Sequence, residues 1–246
     1  MNILWLDSVD STNTEAFRRL PELASGTVLA AREQTAGRGQ RGNSWFTEPG
    51  TNLTFSIVLK FGRDALGDLP LSCAHWLNYL TSDVVAGFLE ENGVHAVVKW
   101  PNDVYVNRRK ICGILIENSL KGVNVDASVI GVGINVNQQA FPQLANATSL
   151  SCCTGKTYDL PAALEQVMAI FTRQLPALFD EKRRQELFEA YSSRLFQHGV
   201  KARYRDLLLD EEFTGVIESV APDGRLCVFD GTRRRYFRFK EVSYIL

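Results

Sequence analysis

Gln34-Thr35-Ala36-Gly37-Arg38-Gly39-Gln40-Arg41-Gly42-Asn43-Ser44-Trp45 is the stretch on which the reading of the fold turns. Gly37, Gly39 and Gly42 free the backbone to take positive φ and to approach a ligand closely. Arg38 and Arg41 add charge-assisted, bidentate donors suited to phosphate or carboxylate. The glycines also spell G-x-G-x-x-G, and Gly37 to Ser44 is one residue short of a P-loop, with Asn43 where lysine is required. Either motif needs an apolar strand ahead of it and a helix behind it. Here Arg32-Glu33-Gln34-Thr35 lead in, Pro49 and Gly50 break any helix, and Asn52 to Leu59 alternates as a strand does. The stretch is therefore an anion-binding loop between strands and not a dinucleotide-binding turn. Taken alone it is also compatible with a plain surface loop rich in Gly and Arg.

Working outward, Asn2 to Val9 reads as a strand ending in Asp10-Ser11-Thr12-Asn13, and Thr12 with Glu15 forms a capping box ahead of a helix over 14–20. Gly26 to Ala31 and Asn52 to Lys60 are the strands on either side of the glycine loop. Leu77, Leu80, Val84, Phe88 and Leu89 recur at helical spacing, which predicts a helix over 71–93 stopped by Gly93. Val94 to Val98, Val104 to Val106 and Ile111 to Glu117 form a strand and a hairpin, turning through Asn107-Arg108-Arg109-Lys110, and Val125 to Val136 continues the sheet. Residues 137–158 lack periodicity and read as a long loop. Asp159-Leu160-Pro161 opens a helical stretch to about Arg194, kinked at Pro176. Beyond it the texture becomes short strands (200–204, 212–220, 225–229 and 236–242) separated by Ala221-Pro222-Asp223-Gly224 and Asp230-Gly231 turns. Arg233-Arg234-Arg235 reads as a solvated edge of this region.

The 246 residues suffice for a large domain and a small one, and a net charge of −1 gives no general attraction to nucleic acid. No apolar run is long enough to cross a membrane, and the N-terminal residues lack the basic start and apolar core of a secretory signal. Cys73, Cys112, Cys152, Cys153 and Cys227 show no metal-type spacing and suit a reducing, cytoplasmic setting, with Cys152 and Cys153 as reduced thiols. His75, His95 and His198 show no ligand or triad spacing.

Further along stand Lys99-Trp100-Pro101-Asn102-Asp103, then Lys110-Ile111-Cys112-Gly113-Ile114-Leu115-Ile116-Glu117, then Gly131-Val132-Gly133-Ile134-Asn135. With the glycine loop, in this order and spacing, they resemble the catalytic domain of biotin–protein ligases from Ser8 to about Asn137, with a weaker echo in the last fifty residues. The resemblance implies an α+β fold: a mixed-sheet catalytic domain of the biotin/lipoate ligase type over 1–194 and a small C-terminal SH3-like β-barrel over 195–246. It implies a two-step reaction. Biotin's carboxylate attacks the α-phosphate of ATP, carried with Mg2+, to give biotinyl-5′-AMP and pyrophosphate. A lysine amine of a biotin carboxyl carrier protein or domain then displaces AMP.

Like charges meet in the first step, so catalysis there is positioning and electrostatics with no acid/base pair. The resemblance assigns the central roles to Lys99 and Arg38, with Arg41 beside them on the nucleotide. It places Ser11, Thr12, Asn13, Gln34, Arg38, Gly39, Gln40, Lys99 and Gly113 around biotin. ATP falls to Arg38, Arg41, Trp45, Lys99 and Asn135, with Trp45 over the adenine or the closed loop and Asn135 on the adenine edge. Asn102 and Asp103 are either ligands on the phosphate side or a polar turn. Gln40 departs from the arginine that several members of the family carry in this place, which leaves Arg38, Arg41 and Lys99 as the cations. Because the mixed anhydride hydrolyses readily, loop 37–48 is expected to order over it. Some members carry an N-terminal DNA-reading domain. Here the first strand begins at Asn2, so no specific DNA binding is expected. The rival readings are a lipoate ligase or octanoyltransferase, a ligand-sensing transcription regulator and a plain nucleotide-binding module.

Overall fold

The structure is a computed structural model that describes every residue except Asp64, Gln143, Ala145 and Leu246, and every remaining side chain except that of Arg41. Strand β1 (Asn2–Val9) passes through helix α1 (Thr12–Arg18) to a parallel neighbour, β2 (Thr27–Gln34). The chain crosses the glycine loop into β3 (Leu53–Lys60), antiparallel to β2, then a two-residue β4 (Leu69–Pro70) and the long helix α2 (Trp76–Glu91). Four strands complete the sheet: β5 (Val97–Lys99), β6 (Asp103–Val106), β7 (Arg109–Lys121) and β8 (Asn124–Ile134). Their order is β1-β2-β3-β8-β7-β6-β5, with β4 against β8, so the sheet is mixed.

Strand alternation sorts β3 between two faces. Phe55, Ile57 and Leu59 point into the main core under α2, whereas Val58 joins Val129 under Ala16 of α1. Ser56, on the α1 side, is fully buried although polar. That face carries the polar residues and becomes the site.

Three helices follow: α3 (Leu150–Thr154), α4 (Leu160–Gln174) and α5 (Glu181–Ser193), with a 3-10 turn at Leu175–Phe179 between the last two. A second sheet closes the chain: β9 (Lys201–Asp206), β10 (Glu211–Val220), β11 (Leu226–Phe229), β12 (Arg234–Phe237) and β13 (Val242–Ile245). It is antiparallel throughout, in the order β12-β11-β10-β9-β13. The two sheets share one continuous apolar core. The connector between α5 and β9 is bonded to β5, where Val98 donates to Arg194 O at 2.7 Å and accepts from Phe196 N at 2.8 Å.

Several sequence expectations change. The first helix begins at Thr12, not Thr14, and no capping box forms: Ser11 is the N-cap and its side chain makes no cap bond. Thr12 spends its hydroxyl on a neighbouring strand, a tertiary partner that outcompetes the local motif. The hairpin turn narrows to Asn107-Arg108, both at positive φ (48° and 65°), as a two-residue turn requires. The long loop contains α3, capped by Ser149 and ended by Gly155 at φ 73°. Five residues are too few for a periodic signal. The last expected strand is two, β12 and β13. Arg235 is not at a solvated edge: its side chain is 15% exposed, pairs with Asp230 at 2.6 Å and lies over Phe213.

Candidate active site

The site is laid out by strand register. On the α1 face, Thr54 pairs with Gly133, Gly133 with Gly113, Gly113 with Asp103, and Asp103 with Lys99. This is one straight row across β3, β8, β7, β6 and β5. The next row is Ser56, Gly131 and Leu115, and the one beyond it is Val58, Val129 and Glu117. With strands about 4.8 Å apart, Lys99 stands roughly 14 Å from Gly133.

Glycines make the floor. A Cβ on Gly131 would fall 2.3 Å from Asn13 Oδ1, and one on Gly133 would fall 2.3 Å from the Trp45 indole. A Cβ on Gly113 would meet the same ring at 3.0 Å. The missing side chains therefore let Asn13 and Trp45 lie directly on the sheet. The Trp45 Nε1 hydrogen is buried without a protein partner, as is Gln40 Oε1. Buried polar atoms of this kind fit a site that a polar ligand completes.

At one end the residues Ser11, Thr12 and Asn13 are 3% exposed or less. Gln34 Oε1 accepts from the Thr12 backbone N–H at 2.8 Å and from its hydroxyl at 3.1 Å. Ser56 Oγ lies 2.8 Å from Thr12 Oγ1 and 2.6 Å from Asn13 Oδ1. Asn13 Nδ2 donates to Leu115 O and, at 2.9 Å, to Glu117. The result is a set of short, fixed polar groups suited to a small neutral ring with several donors and acceptors.

At the other end Lys99 ends β5, its Nζ 5.2 Å from the Tyr105 ring centre and 5.0 Å from that of Tyr244 in β13. Burial lowers its pKa from the ordinary lysine value; Asp103 opposes that shift and Lys110 adds to it. The turn after it is anchored on all sides. Trp100 donates to Gly224 O at 3.2 Å, while Asn78 and Tyr191 both donate to Pro101 O across a cis Trp100–Pro101 peptide. Lys110 pairs with Asp103 at 2.6 Å and lies 5.6 Å from the Trp45 ring centre.

These groups line one cavity of about 510 Å3, within the range of small-ligand sites. Its described lining carries Arg38, Lys99, Lys110 and Lys240 against a single carboxylate, Asp103, so it is built for an anionic ligand. Ser11, Thr12, Asn13, Gln34, Arg38, Gly39, Gln40, Trp45, Lys99 and Gly113 all line it. Arg38 is an exposed cation paired with Glu117 at 2.8 and 3.1 Å. Within the glycine loop, Gly39 N–H donates to Asn43 O and Trp45 N–H to Gly37 O. The Arg41 side chain lies outside the described residues. Asn135 is not in the lining: it is buried, and its side-chain amide donates to Thr148 O at 3.0 Å. Asn102 and Asp103 both line the cavity, and Asn102 donates its side-chain amide to Ile114 O.

Sequence reading missed Lys110, Ser56, Glu117, and the second sheet's Lys240, Ser243 and Tyr244. Gly131-Val132-Gly133 carried a usable signal, since glycines two apart in a strand open one face to close approach. The residues from the second sheet carried none, because only tertiary packing brings them to the cavity.

Comparison with known proteins agrees with this geometry. Residues 5–135 match the model of the biotin/lipoate A/B protein ligase family. The chain is 33% identical over 179 residues to the bifunctional ligase/repressor BirA of Bacillus subtilis, covering 70% of this chain and 53% of that protein. It is 29% identical over 234 residues to the biotin–[acetyl-CoA-carboxylase] ligase of Mycobacterium tuberculosis, covering 91% and 81%. The solved biotin protein ligase of Aquifex aeolicus in complex with biotin and ATP superposes with a TM-score of 0.75 at 28% identity, covering 98% and 97%. The chain spans about half the length of the BirA proteins of Bacillus that it matches.

Proposed function

We propose that this chain, which belongs to the biotin/lipoate A/B protein ligase family, is an ATP-dependent biotin–protein ligase. It activates biotin as biotinyl-5′-AMP and passes the biotinyl group to a lysine of a biotin carboxyl carrier protein or domain. The observation that carries the reading is the row from Thr54 to Lys99, with a fixed polar pocket at one end and cations at the other.

In the first step a biotin carboxylate oxygen forms a bond to the α-phosphorus, and the bond to the bridging oxygen of pyrophosphate breaks. Ser11, Thr12, Asn13 and Gln34 would hold the ring, which fixes the direction in which the carboxylate arrives. Lys99 would stand between carboxylate and α-phosphate, with Lys110 and Arg38 sharing the phosphate charge. Trp45 on its glycine floor offers a flat apolar face to the adenine. Magnesium would enter as part of MgATP. The described residues hold no cluster of three or more His, Cys, Asp or Glu placed for a metal, and Asp103 is the lining carboxylate that fits one carried on phosphates. In the second step a neutral lysine amine bonds to the acyl carbon, the acyl–phosphate oxygen bond breaks, AMP leaves, and the surplus amine proton goes to water.

The residue assignments other than Asn135, the division into 1–194 and 195–246 and a cytoplasmic location belong to the same reading. So does the lack of sequence-specific DNA binding by this chain, supported by its net charge of −1 and by the pairing of Arg233, Arg234 and Arg235 with Asp230 and Glu218. No helix among the described residues is long and apolar enough to cross a membrane.

The test is incubation with biotin, MgATP and a biotin carboxyl carrier domain, scored by the mass of the carrier. Gain of one biotinyl group on a lysine is expected. Pyrophosphate exchange that responds to lipoate and not to biotin would move the assignment to the lipoate branch of the family.

A further inference from the structure

Glu117 belongs to no motif role, yet it sits at a junction. Both of its oxygens face Arg38, Oε1 at 2.8 Å from Nη2 and Oε2 at 3.1 Å from Nη1. Oε2 also accepts from Asn13 Nδ2 at 2.9 Å. Asn13 in turn is locked by Ser56 at its oxygen and by the Leu115 carbonyl at its nitrogen. Ser56 reaches Thr12, and Thr12 reaches Gln34. One unbroken chain of polar contacts thus runs from the pocket proposed for the biotin ring to the cation of the glycine loop.

The placement defines the role. Arg38 lines the main cavity, whereas Glu117 lines only an adjoining recess of about 330 Å3 that shares Arg38 with it. The guanidinium is therefore part of the main cavity's wall, and the carboxylate that holds it is not. A bidentate pair occupies one N–H of each terminal nitrogen, the second N–H of Nη1 lies 3.4 Å from Thr14 Oγ1, and one N–H of Nη2 and the Nε hydrogen remain. Without that brace, an arginine that is 46% exposed on a glycine-rich loop has many rotamers to choose from.

We propose that Glu117 is a positioning residue that clamps Arg38 at the cavity wall and couples it, through Asn13, to the biotin pocket, so that the loop retains the acyl-adenylate. This rests on the ligase reading above. The role is exercised through Arg38 and not by touching the ligand.

A double-mutant cycle between Glu117 and Arg38 tests it, read by the escape rate of biotinyl-AMP formed on the enzyme, with thermal unfolding recorded for each variant. Glu117→Ala is expected to speed escape about tenfold in the parent, and by less than about twofold in the Arg38→Ala background, as coupled neighbours do. Glu117→Gln keeps an acceptor for Asn13 but removes the charge facing Arg38. It is expected to fall between parent and Glu117→Ala, and it completes the cycle alone if Glu117→Ala does not fold. A purely structural Glu117 would lower the melting temperature and speed escape by the same factor in both backgrounds. That additivity, or parent-like retention by Glu117→Gln, overturns the inference. A parent that forms no biotinyl-AMP overturns the ligase reading, and the inference with it, whereas a parent that forms it with additive variants removes the inference alone.

Discussion

The two cations at the heart of the site stand on opposite kinds of support. Lys99 ends a strand of the large sheet, lies near two tyrosine rings, one from each sheet, and is followed by a turn bonded to α2, α5 and the second sheet. Arg38 is exposed on a loop closed by its own backbone bonds (Gly39 N–H to Asn43 O, Asn43 N–H to Gln40 O and Trp45 N–H to Gly37 O), and a carboxylate from β7 braces it. The contrast matches the two demands of the proposed reaction. The charge that meets the transition state has to be in place before it forms, which favours a rigid wall. The charge that keeps a hydrolysable intermediate has to let substrate in first, which favours a loop.

The largest effect is expected at the wall. Lys99→Ala should slow adenylate formation by roughly 10²–10³-fold, on the order of 2–4 kcal/mol, with the fold intact. Biotin-dependent pyrophosphate exchange within about twofold of the parent would contradict the role of a fixed charge. Next comes the floor between wall and loop. Gly133→Val puts a side chain where the Trp45 ring now lies, so the ring has to leave the sheet. ATP binding should weaken by about tenfold or more, with biotin binding much less affected, as titration calorimetry would resolve. An equal loss of both ligands would mean that the floor serves the whole site and not the Trp45 face alone.

Within the loop the expected effects are smaller. Arg38→Ala should speed escape of preformed biotinyl-AMP by about tenfold, more than Gln40→Ala, because a charge-assisted bond is about twice as strong as a neutral one. Equal effects from the two substitutions would mean that the loop supplies shape and not charge. The most delicate test returns to the wall and uses pH. In the proposed reaction Lys99 acts as the ammonium, so adenylation should be lost as pH rises through its folded pKa. Burial sets that pKa below the ordinary 10.5, and the alkaline limb should lie below that of a free lysine. Asp103→Asn removes the charge that opposes the shift, and the limb should then move further down in a pH–rate profile. A limb that moves up would show that Asp103 does not support the charge on Lys99.

The same contrast divides what the sequence made legible. The loop announced itself, since glycines and arginines at short spacing carry their chemistry in the string. Lys99 was readable because it stands in the Lys99-Trp100-Pro101-Asn102-Asp103 run that carries part of the family resemblance. The row across the sheet was not readable, because register between distant strands decides that Gly133, Gly113, Asp103 and Lys99 are neighbours. Tyr244 lies 145 positions after Lys99 and reaches it only because the second sheet packs on the end of the first. The Thr12 to Glu15 capping box failed for a related reason: burial beside Gln34 and Ser56 offered the hydroxyl better partners than its own helix. Local chemistry was visible in the chain, and long-range pairing was not.

The central claim, that a fixed cation makes the intermediate and a loop cation keeps it, is tested most directly by two rates measured on Lys99→Ala and Arg38→Ala. These are single-turnover formation of biotinyl-AMP and its escape after formation or loading. The account predicts that Lys99→Ala loses far more in formation than in retention, and that Arg38→Ala loses more in retention than in formation. The same ratio of the two losses in both variants would contradict it.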